Sequence, residues 1–429
     1  MKNKILIIVA VFVASLSYSQ EMTKEYYDNG QLKAIGKGKN PWKHKPSLNP
    51  KLDGYADNGE WRFYYESGQL KHIGNYKKFY RDGLHKSYYK NGTLELEATY
   101  HLDKPYGEWK EYYDNGNLKV TGAYEKYDGM FSSKNKSQKK IGVWKEYYKN
   151  GNLKTKGSYA YDMIRQNERD GIWQFYYSNG KLEKTGLFKE GNAVGEWKNY
   201  NEDGVLNDII DLSNDYIKFY YPSGQIGEEG PIKKGRQGEW RVYYESGNLR
   251  ATQNYVNDKL NGRTTEYYEN GQIGRVGNIL NEMQEGEWKE YTDSGQLYAI
   301  KTFKEGKLDG PFKQYNASGN VSIEGILINQ LQDGEWKEYY ENGSNFRIVQ
   351  FNNGKKEGIW KDYHTNGQIG RVYRWENDKF MEVLEFNDKN GNPLDPGTLK
   401  NGNGKLNEYN EEGELIKQLT VKDGVIIQE

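Results

Sequence analysis

The chain contains no cysteine among its 429 residues. Disulfides, thiolate nucleophiles, Cys-ligated metals and sulfur-linked lipids are thereby excluded, and the fold must hold by packing alone. Histidine is nearly as scarce. The five (His44, His72, His85, His101 and His364) are scattered, with neither H-E-x-x-H nor a ligand pair at helical spacing. No G-x-S-x-G elbow, P-loop or dinucleotide G-x-G-x-x-G context is present. DKNGNPLD, residues 388–395, faintly resembles a calcium loop but has Pro393 where the turn glycine is needed, so it reads as a surface turn. Acidic pairs are abundant and read as solvated strand faces. No enzyme, cofactor or metal is expected.

Net charge is also missing. Sixty-one basic and sixty-one acidic residues alternate along the chain, which provides no broad electropositive surface for nucleic acid. Long hydrophobic runs are limited to Ile5 to Val13, about half of what a bilayer-spanning helix needs. Lys2 and Lys4 precede that run, and the small residues Ser17 and Ser19 follow it. Residues 1–19 therefore read as an export signal cleaved after Ser19, with an uncleaved anchor as the other reading. The mature chain, without a transmembrane segment, is expected in the periplasm, on the cell surface or secreted.

What is abundant is glycine, at 50, and aromatic residues, with 39 Tyr and 11 Trp, although hydrophobic residues make up only 35 %. A disordered chain would lack such rings. Their distribution is periodic. GEWKEYYDNGNLKVTG, from Gly107, returns as GEWRFYYESGQLKHIG from Gly59 and GEWKEYTDSGQLYAIK from Gly286. The turn glycine of successive copies falls at Gly30, Gly68, Gly92, Gly116, Gly151, Gly180, Gly204, Gly224, Gly247, Gly271, Gly295, Gly319, Gly343 and Gly367, then more weakly at Gly391 and Gly413. From Gly224 onward the step is roughly 24 residues, placing the chain among the short-period repeat architectures. Residues 37–58, 125–140 and 161–169 read as insertions between copies that leave the stack uninterrupted.

Each copy reads as a β-hairpin: an aromatic run such as WKEYY, a turn such as DNG or ESG that needs positive φ, then a second run such as NLKVTGAY. Glycine and asparagine recur too often for a long helix. The expected fold is all-β, an elongated antiparallel meander of tandem hairpins of ~24 residues forming a twisted single-sheet ribbon or solenoid. It is organised as a signal (1–19), a first repeat with a proline-containing loop (20–58), repeats with two inserted loops (59–204), a shortened repeat (205–230), regular repeats (231–385) and a degenerate C-terminal cap (386–429).

One slot holds Trp61, Trp109, Trp144, Trp173, Trp197, Trp240, Trp288, Trp336 and Trp360, with His85, Ile217, Thr264 and Phe312 in other copies. Trp alternates with another residue in places, which suggests a paired unit of about 48 residues. The first Tyr of the YY pair is steadier than the second, and is the better candidate for a column that cannot change. Leu70, Leu118, Leu249 and Ile273, after the turn, are expected to interleave between the rings. Glu60, Glu108, Glu196, Glu239, Glu287 and Glu335 are expected to face Lys71, Lys119 and Lys154 across the ladder.

The motif G-E-W-x-x-Y-Y-x-x-G-x-L, seen from Gly107 to Leu118, resembles the variant MORN repeat of bacterial proteins of the YwqK antitoxin-component family, over about Glu25 to Leu415. The resemblance implies a hairpin-repeat scaffold that binds proteins or membranes, with Tyr, Trp and Gly as structural positions. The antitoxin branch implies neutralisation of a partner protein by complex formation. The expected function is that of an exported, non-enzymatic scaffold for another protein. The alternatives are a glycan or cell-wall binder that uses exposed rings, and a membrane-associated scaffold. The candidate partner-binding residues are the second tyrosines Tyr65, Tyr89, Tyr113, Tyr148, Tyr177, Tyr244, Tyr268 and Tyr340.

Overall fold

A computed structural model describes residues 22–43, 59–126, 138–160, 167–410 and 412–427. The signal segment and most of the three insertions lie outside these residues. Among the described residues there are 33 strands and no helix. Two compact units are formed, Met1–Leu206 and Asn207–Glu429.

In the first unit the strands from Met22–Tyr26 to Asn192–Tyr200 form an open antiparallel hairpin meander. Strands on either side of each insertion still pair directly: Ala34 faces Phe63, Val120 faces Glu146 and Thr155 faces Phe175. The insertions therefore leave the ladder intact. The second unit repeats the pattern up to Lys379–Phe386 and adds a separate three-stranded sheet, Gly404–Tyr409, Leu415–Lys422 and Val425–Ile427.

Two kinds of turn alternate along each unit. After the YY pair, Gly68 N–H donates to Tyr65 C=O at 2.9 Å and Tyr65 N–H donates to Gln69 C=O at 2.8 Å, a three-residue loop with Gly68 at φ +87°. Only glycine takes that conformation without a Cβ penalty, which is why NG or SG recurs there. At the other end of the hairpin Lys77 pairs with Tyr80 across a two-residue turn, Lys78 (φ 49°) and Phe79 (φ 68°). Two successive positive φ values make a type I′ turn, whose twist matches that of the flanking strands.

A different glycine, four residues after the Leu or its substitute, builds the core. Gly36, Gly74, Gly122, Gly157, Gly186, Gly230, Gly277 and Gly325 each lie flat beneath the ring of the next strand, and a Cβ there would sit 2.0 to 2.5 Å from that ring. The rings are Trp61, His85, Trp144, Trp173, Trp197, Trp240, Trp288 and Trp336. Most also donate a ring N–H to the carbonyl just past the glycine, where a bulge shifts the register: Trp61 to Lys37 at 2.9 Å, Trp173 to Ser158 at 2.9 Å, Trp288 to Asn278 at 3.1 Å. His85 does so through Nε2 to Asn75 at 2.7 Å, which is how a histidine fits the tryptophan slot. Trp144 and Trp197 lie over their glycines without that bond.

This contact accounts for the alternation between Trp240 and Trp336, but not for that of Trp61, His85 and Trp109, since His85 lies over Gly74. In that region two copies without the glycine also lack the tryptophan: Gln253 lies opposite Thr264 and Lys301 opposite Phe312. Ala98 lies opposite Trp109, which stays half-buried and turns its indole N–H to Glu111 Oε1 at 2.9 Å. Trp360, with no glycine beneath it, is buried in a cluster with Val349, Leu399, Leu406 and Val421, the last two from the C-terminal sheet. The tail thus joins its own apolar residues to the last slot rings, Trp336 and Trp360. In the first unit Trp42 covers Phe63, stacked at 3.6 Å and 6°.

The expected interleaving of rings with Leu and Ile is not what forms. Leu70 and Leu118 pair with Tyr64 and Tyr112 beside the turn. The residues that separate the slot rings are themselves aromatic, six positions further along the strand. Tyr76, His85, Tyr100, Trp109, Tyr124, Trp144, Tyr159, Trp173, Phe188 and Trp197 run edge to face, with centroids 5.0 to 6.3 Å apart and interplanar angles of 70 to 88°. The physical reason is the register shift beside the turn, which changes the pleat and brings the Tyr/Phe position onto the ring face. Such T-shaped pairs add about 0.5–1.5 kcal/mol each beyond burial.

One polar chain crosses this core. His72 Nδ1 lies 2.9 Å from Ser87 Oγ, and His72 Nε2 lies 3.0 Å from His85 Nδ1. With both rings neutral the bonds run in one direction: the Ser87 hydroxyl donates to His72, His72 to His85, and His85 to the Asn75 carbonyl. Burial, with the neighbouring His85 ring second, lowers the His72 pKa to about 3; burial lowers that of His85 to about 4. The unfolded state, with pKa values near 6.5, takes up protons first, so the stabilisation is complete above about pH 6.5 and is lost as pH falls towards the folded values.

Two outcomes follow from the core. Gly157→Ala is expected to lower the unfolding free energy by about 1–3 kcal/mol through overpacking against Trp173, and an unchanged denaturation midpoint would refute the flat-contact account. The double variant His72→Ala, His85→Trp restores residues used in sister copies. Between about pH 7 and 4 the wild type is expected to lose several kcal/mol more than this variant, at about 1.4 kcal/mol per pKa unit. Parallel pH profiles in chemical denaturation would contradict this.

Candidate binding clefts on the ring face

The second tyrosine of each copy ties that copy to the next. Its hydroxyl donates to the backbone carbonyl of the first tyrosine one copy on: Tyr65 to Tyr88, Tyr89 to Tyr112, Tyr113 to Tyr147, Tyr148 to Tyr176 and Tyr177 to Tyr200, at 2.8 Å each. In the second unit Tyr244 reaches Tyr267 at 2.7 Å, Tyr268 reaches Tyr291 at 2.8 Å and Tyr340 reaches Tyr363 at 2.7 Å. His364 makes the same bond to Asn387 with Nε2 at 3.0 Å. Where the slot holds Asn201, Thr292 or Asn316, the side chain caps its own turn, as Asn201 Oδ1 does by accepting from Asp203 and Val205. All eight candidate tyrosines thus have committed hydroxyls and ring faces left half-open. The first tyrosine is not the buried column that its steadiness suggested. Tyr64, Tyr88 and Tyr112 are half-buried, and the position is held by the carbonyl it offers to the preceding copy.

Asparagines before the turn glycine form a second tie. Asn115 Oδ1 accepts from Asn117 N–H at 3.1 Å, and its Nδ2 donates to Lys149 C=O of the next turn at 2.9 Å. Asn91, Asn150, Asn179, Asn270 and Asn366 repeat the turn-to-turn bond. On the opposite face, Glu before the Trp pairs with the base two residues on in its own strand, not with a lysine across the ladder: Glu60 with Arg62, Glu108 with Lys110, Glu287 with Lys289 and Glu335 with Lys337. Alternate residues of one strand share a face, so the partner in reach is the one two positions away. Lys119 pairs with Glu111 instead.

Open clefts lie between copies on the ring face. One holds about 300 Å³ and is lined by Tyr89, Trp109, Glu111 and Lys119, among others. A second, at the same place in the repeat of the other unit, holds about 390 Å³ and is lined by Tyr244, Tyr268, Glu266, Arg275, Glu290 and Tyr298, among others. In several copies a lysine lies over the second tyrosine, at 5.5 Å for Lys71 on Tyr65 and 5.6 Å for Lys154 on Tyr148. Gly274 occupies that lysine's position beside Tyr268 and leaves its ring 37 % exposed. Arg275 forks onto Glu266 at 2.7 and 2.8 Å, and Lys301 holds Glu290 at 2.7 Å. The clefts thus present rigid aromatic faces with mutually neutralised charges. Among the described residues no group of three His, Asp or Glu is placed to hold a metal ion, and no helix is long and apolar enough to cross a membrane.

The sequence pointed to Tyr244 and Tyr268 but not to Trp109, Glu266, Arg275, Tyr298 or Gly274. The readable signals were Ala98 in place of the recurring glycine, and Gly274 and Tyr298 in a position otherwise often held by lysine.

Comparison with known proteins agrees with this architecture. The family model for the MORN repeat variant matches residues 23–40, 57–78, 81–101, 105–126, 140–161, 169–190, 236–257, 260–273, 284–305, 332–353 and 356–369, more than half of the chain. The chain belongs to the MORN repeat variant family. Repeats of this family generally mediate protein interactions and are generally non-enzymatic scaffolds. No curated protein matches the chain. Among solved structures it is similar to the TcdB2-TccC3 complex, at 11 % identity and a TM-score of 0.15, over 95 % of this chain and 26 % of that one. It is also similar to the Photorhabdus luminescens Tc holotoxin pore, at 11 % identity and a TM-score of 0.15, over 94 % of this chain and 23 % of that one. The chain spans about a quarter of the length of these chains.

Removing the hydroxyl of one tie tests its worth. Tyr113→Phe is expected to destabilise the first unit by about 1 kcal/mol, the usual net value of one hydrogen bond with a partner left behind. Amide exchange should speed up near Tyr147, and unaltered exchange there would show that the bond carries no load.

Proposed function

We propose that the chain is an exported, non-enzymatic scaffold that holds a partner protein on its ring face, as the antitoxin-like resemblance implies. The observation that supports this reading is the recurrence of the same tyrosine- and glutamate-lined cleft at one position of the repeat in both units. Tyrosines whose hydroxyls are tied to backbone carbonyls lose little further rotamer entropy on binding, and rigid aromatic anchors of this kind dominate protein interfaces. Balanced charge on the cleft floor favours a partner recognised by shape and ring contacts over one steered by net charge. The lysine-flanked apolar run before Ser19 supports export.

A photo-crosslinking side chain placed at Tyr89 or Tyr268 in the native host tests the interaction. A discrete crosslinked protein is expected from both sites, and the absence of any adduct at either would defeat the docking reading. N-terminal sequencing of the mature protein is expected to start at Gln20, whereas a retained Met1 would remove the export part of the proposal.

A further inference from the structure

We infer that the face opposite the rings, on the strands from Lys140–Tyr147 to Asn192–Tyr200 of the first unit, docks a segment of another protein that is rich in carboxylates and aliphatic side chains. The inference concerns a second surface and does not depend on what the ring face holds. Two observations carry it, and they fall on the same five strands.

The first is a row of bare aliphatic side chains. In sister copies the residue before the slot is a glutamate that holds the base two positions on, as Glu108 holds Lys110 and Glu287 holds Lys289. Here that residue is Val143 on one strand and Ile172 two strands on, 47 % and 70 % exposed. Leu187, also exposed, pairs with Ile172 on one side and with Val194 on the other. From Val143, with exposed Ile141 beside it, to Val194 the row crosses four strand spacings, about 19 Å. Period two keeps these side chains on the face away from Trp144 and Trp173. A contiguous run of exposed aliphatic residues, unlike one scattered singly, calls for a partner.

The second is a row of lysines left without acids, two residues further along the strands. Lys145 faces Thr121 on one neighbouring strand and Lys156 on the other, Lys156 faces Gln174 beyond, and Lys198 faces Thr185. Like charges directly opposite each other destabilise a ladder. In sister copies the position of Lys156 is held by Glu97, Glu229 and Glu324, which pair with Lys86, Lys218 and Lys313. Asp170 and Glu196 border the aliphatic row, but among the described residues neither these nor any other carboxylate bridges to Lys145, Lys156 or Lys198.

The two rows together select the occupant. Carboxylates supply the charge that the lysines lack, and aliphatic side chains beside them cover Val143, Ile172 and Leu187. A hydrophilic polyanion would use the lysines and leave the aliphatic row wet. An anionic membrane is held by clusters of about four to eight basic residues, more than this face gathers. These terms favour an acidic, aliphatic protein segment.

The test uses the chain from Gln20 and a fluorescent twelve-residue peptide alternating Glu and Leu, followed by anisotropy. Controls with Gln in place of Glu, and with Ser in place of Leu, each remove one half of the match. The Glu/Leu peptide is expected to bind at least about fivefold tighter than either control, the size of one exposed ion pair or one partly covered aliphatic side chain, and to weaken as salt is raised. Val143→Glu and Ile172→Glu restore the acid of sister copies at exposed positions. Each is expected to weaken binding about fivefold or more with unchanged circular dichroism. Equal binding of a control, no effect of either variant, or no peptide binding would overturn the inference. So would dimerisation that Ile172→Glu abolishes, or variant-sensitive binding to vesicles of one part phosphatidylglycerol and three parts phosphatidylcholine, without peptide binding. Crosslinking at Tyr89 or Tyr268 reads the ring face alone, so either surface can fail without the other.

Discussion

The flat contact between a ring on one strand and the bare Cα of a glycine on its neighbour is the constraint on which the rest depends. A single antiparallel sheet has no second layer to bury its side chains, so an upright tryptophan on it would remain largely wet. Laid over glycine, the indole lies against the backbone itself, with relative exposures of 0 % at Trp61 and 1 % at Trp173 and Trp240. The ring N–H then meets a carbonyl beside the bulge in most copies. A wide aromatic ring, a missing Cβ and a bulge are thus three parts of one device, repeated because no hairpin completes it alone.

Two further ties make the stack cooperative. Tyrosine hydroxyls and turn asparagines each bridge one copy to the next through backbone carbonyls, so most copies within a unit are fastened at the turn as well as at the core. These bonds also determine the surface: a tyrosine anchored by its hydroxyl can present only its face. The residue after the Leu position differs between copies: lysine lies over the ring at Tyr65 and Tyr148, and glycine stands beside the exposed Tyr268. Small substitutions within an unchanged scaffold thereby vary how the rings are flanked.

The hairpins, their antiparallel order and the turn glycines were legible because each is local. A turn needing positive φ selects Gly or Asn within four residues, and strand alternation follows from period two. Less was visible of the faces. Leu70 and Leu118 were expected between the rings, but the bulge after each turn shifts the pleat, and Tyr76, Tyr100 and Tyr124 take that place. The glutamates were expected to pair across strands, yet Glu60 and Glu108 pair within their own. The glycine four residues after the Leu was in plain view and went unread because its role needs a partner on another strand.

By itself, then, the sequence determined a chain of hairpins in one order, joined by turns of defined chemistry, because repetition and backbone preference act over a few residues at a time. Only the tertiary structure decided which rings are sealed and which are open. That choice turns on pairs such as Gly157 with Trp173, Ala98 with Trp109 and Gly274 with Tyr268, and whether two such residues meet depends on register, bulge and pleat, which exist only once the strands lie side by side.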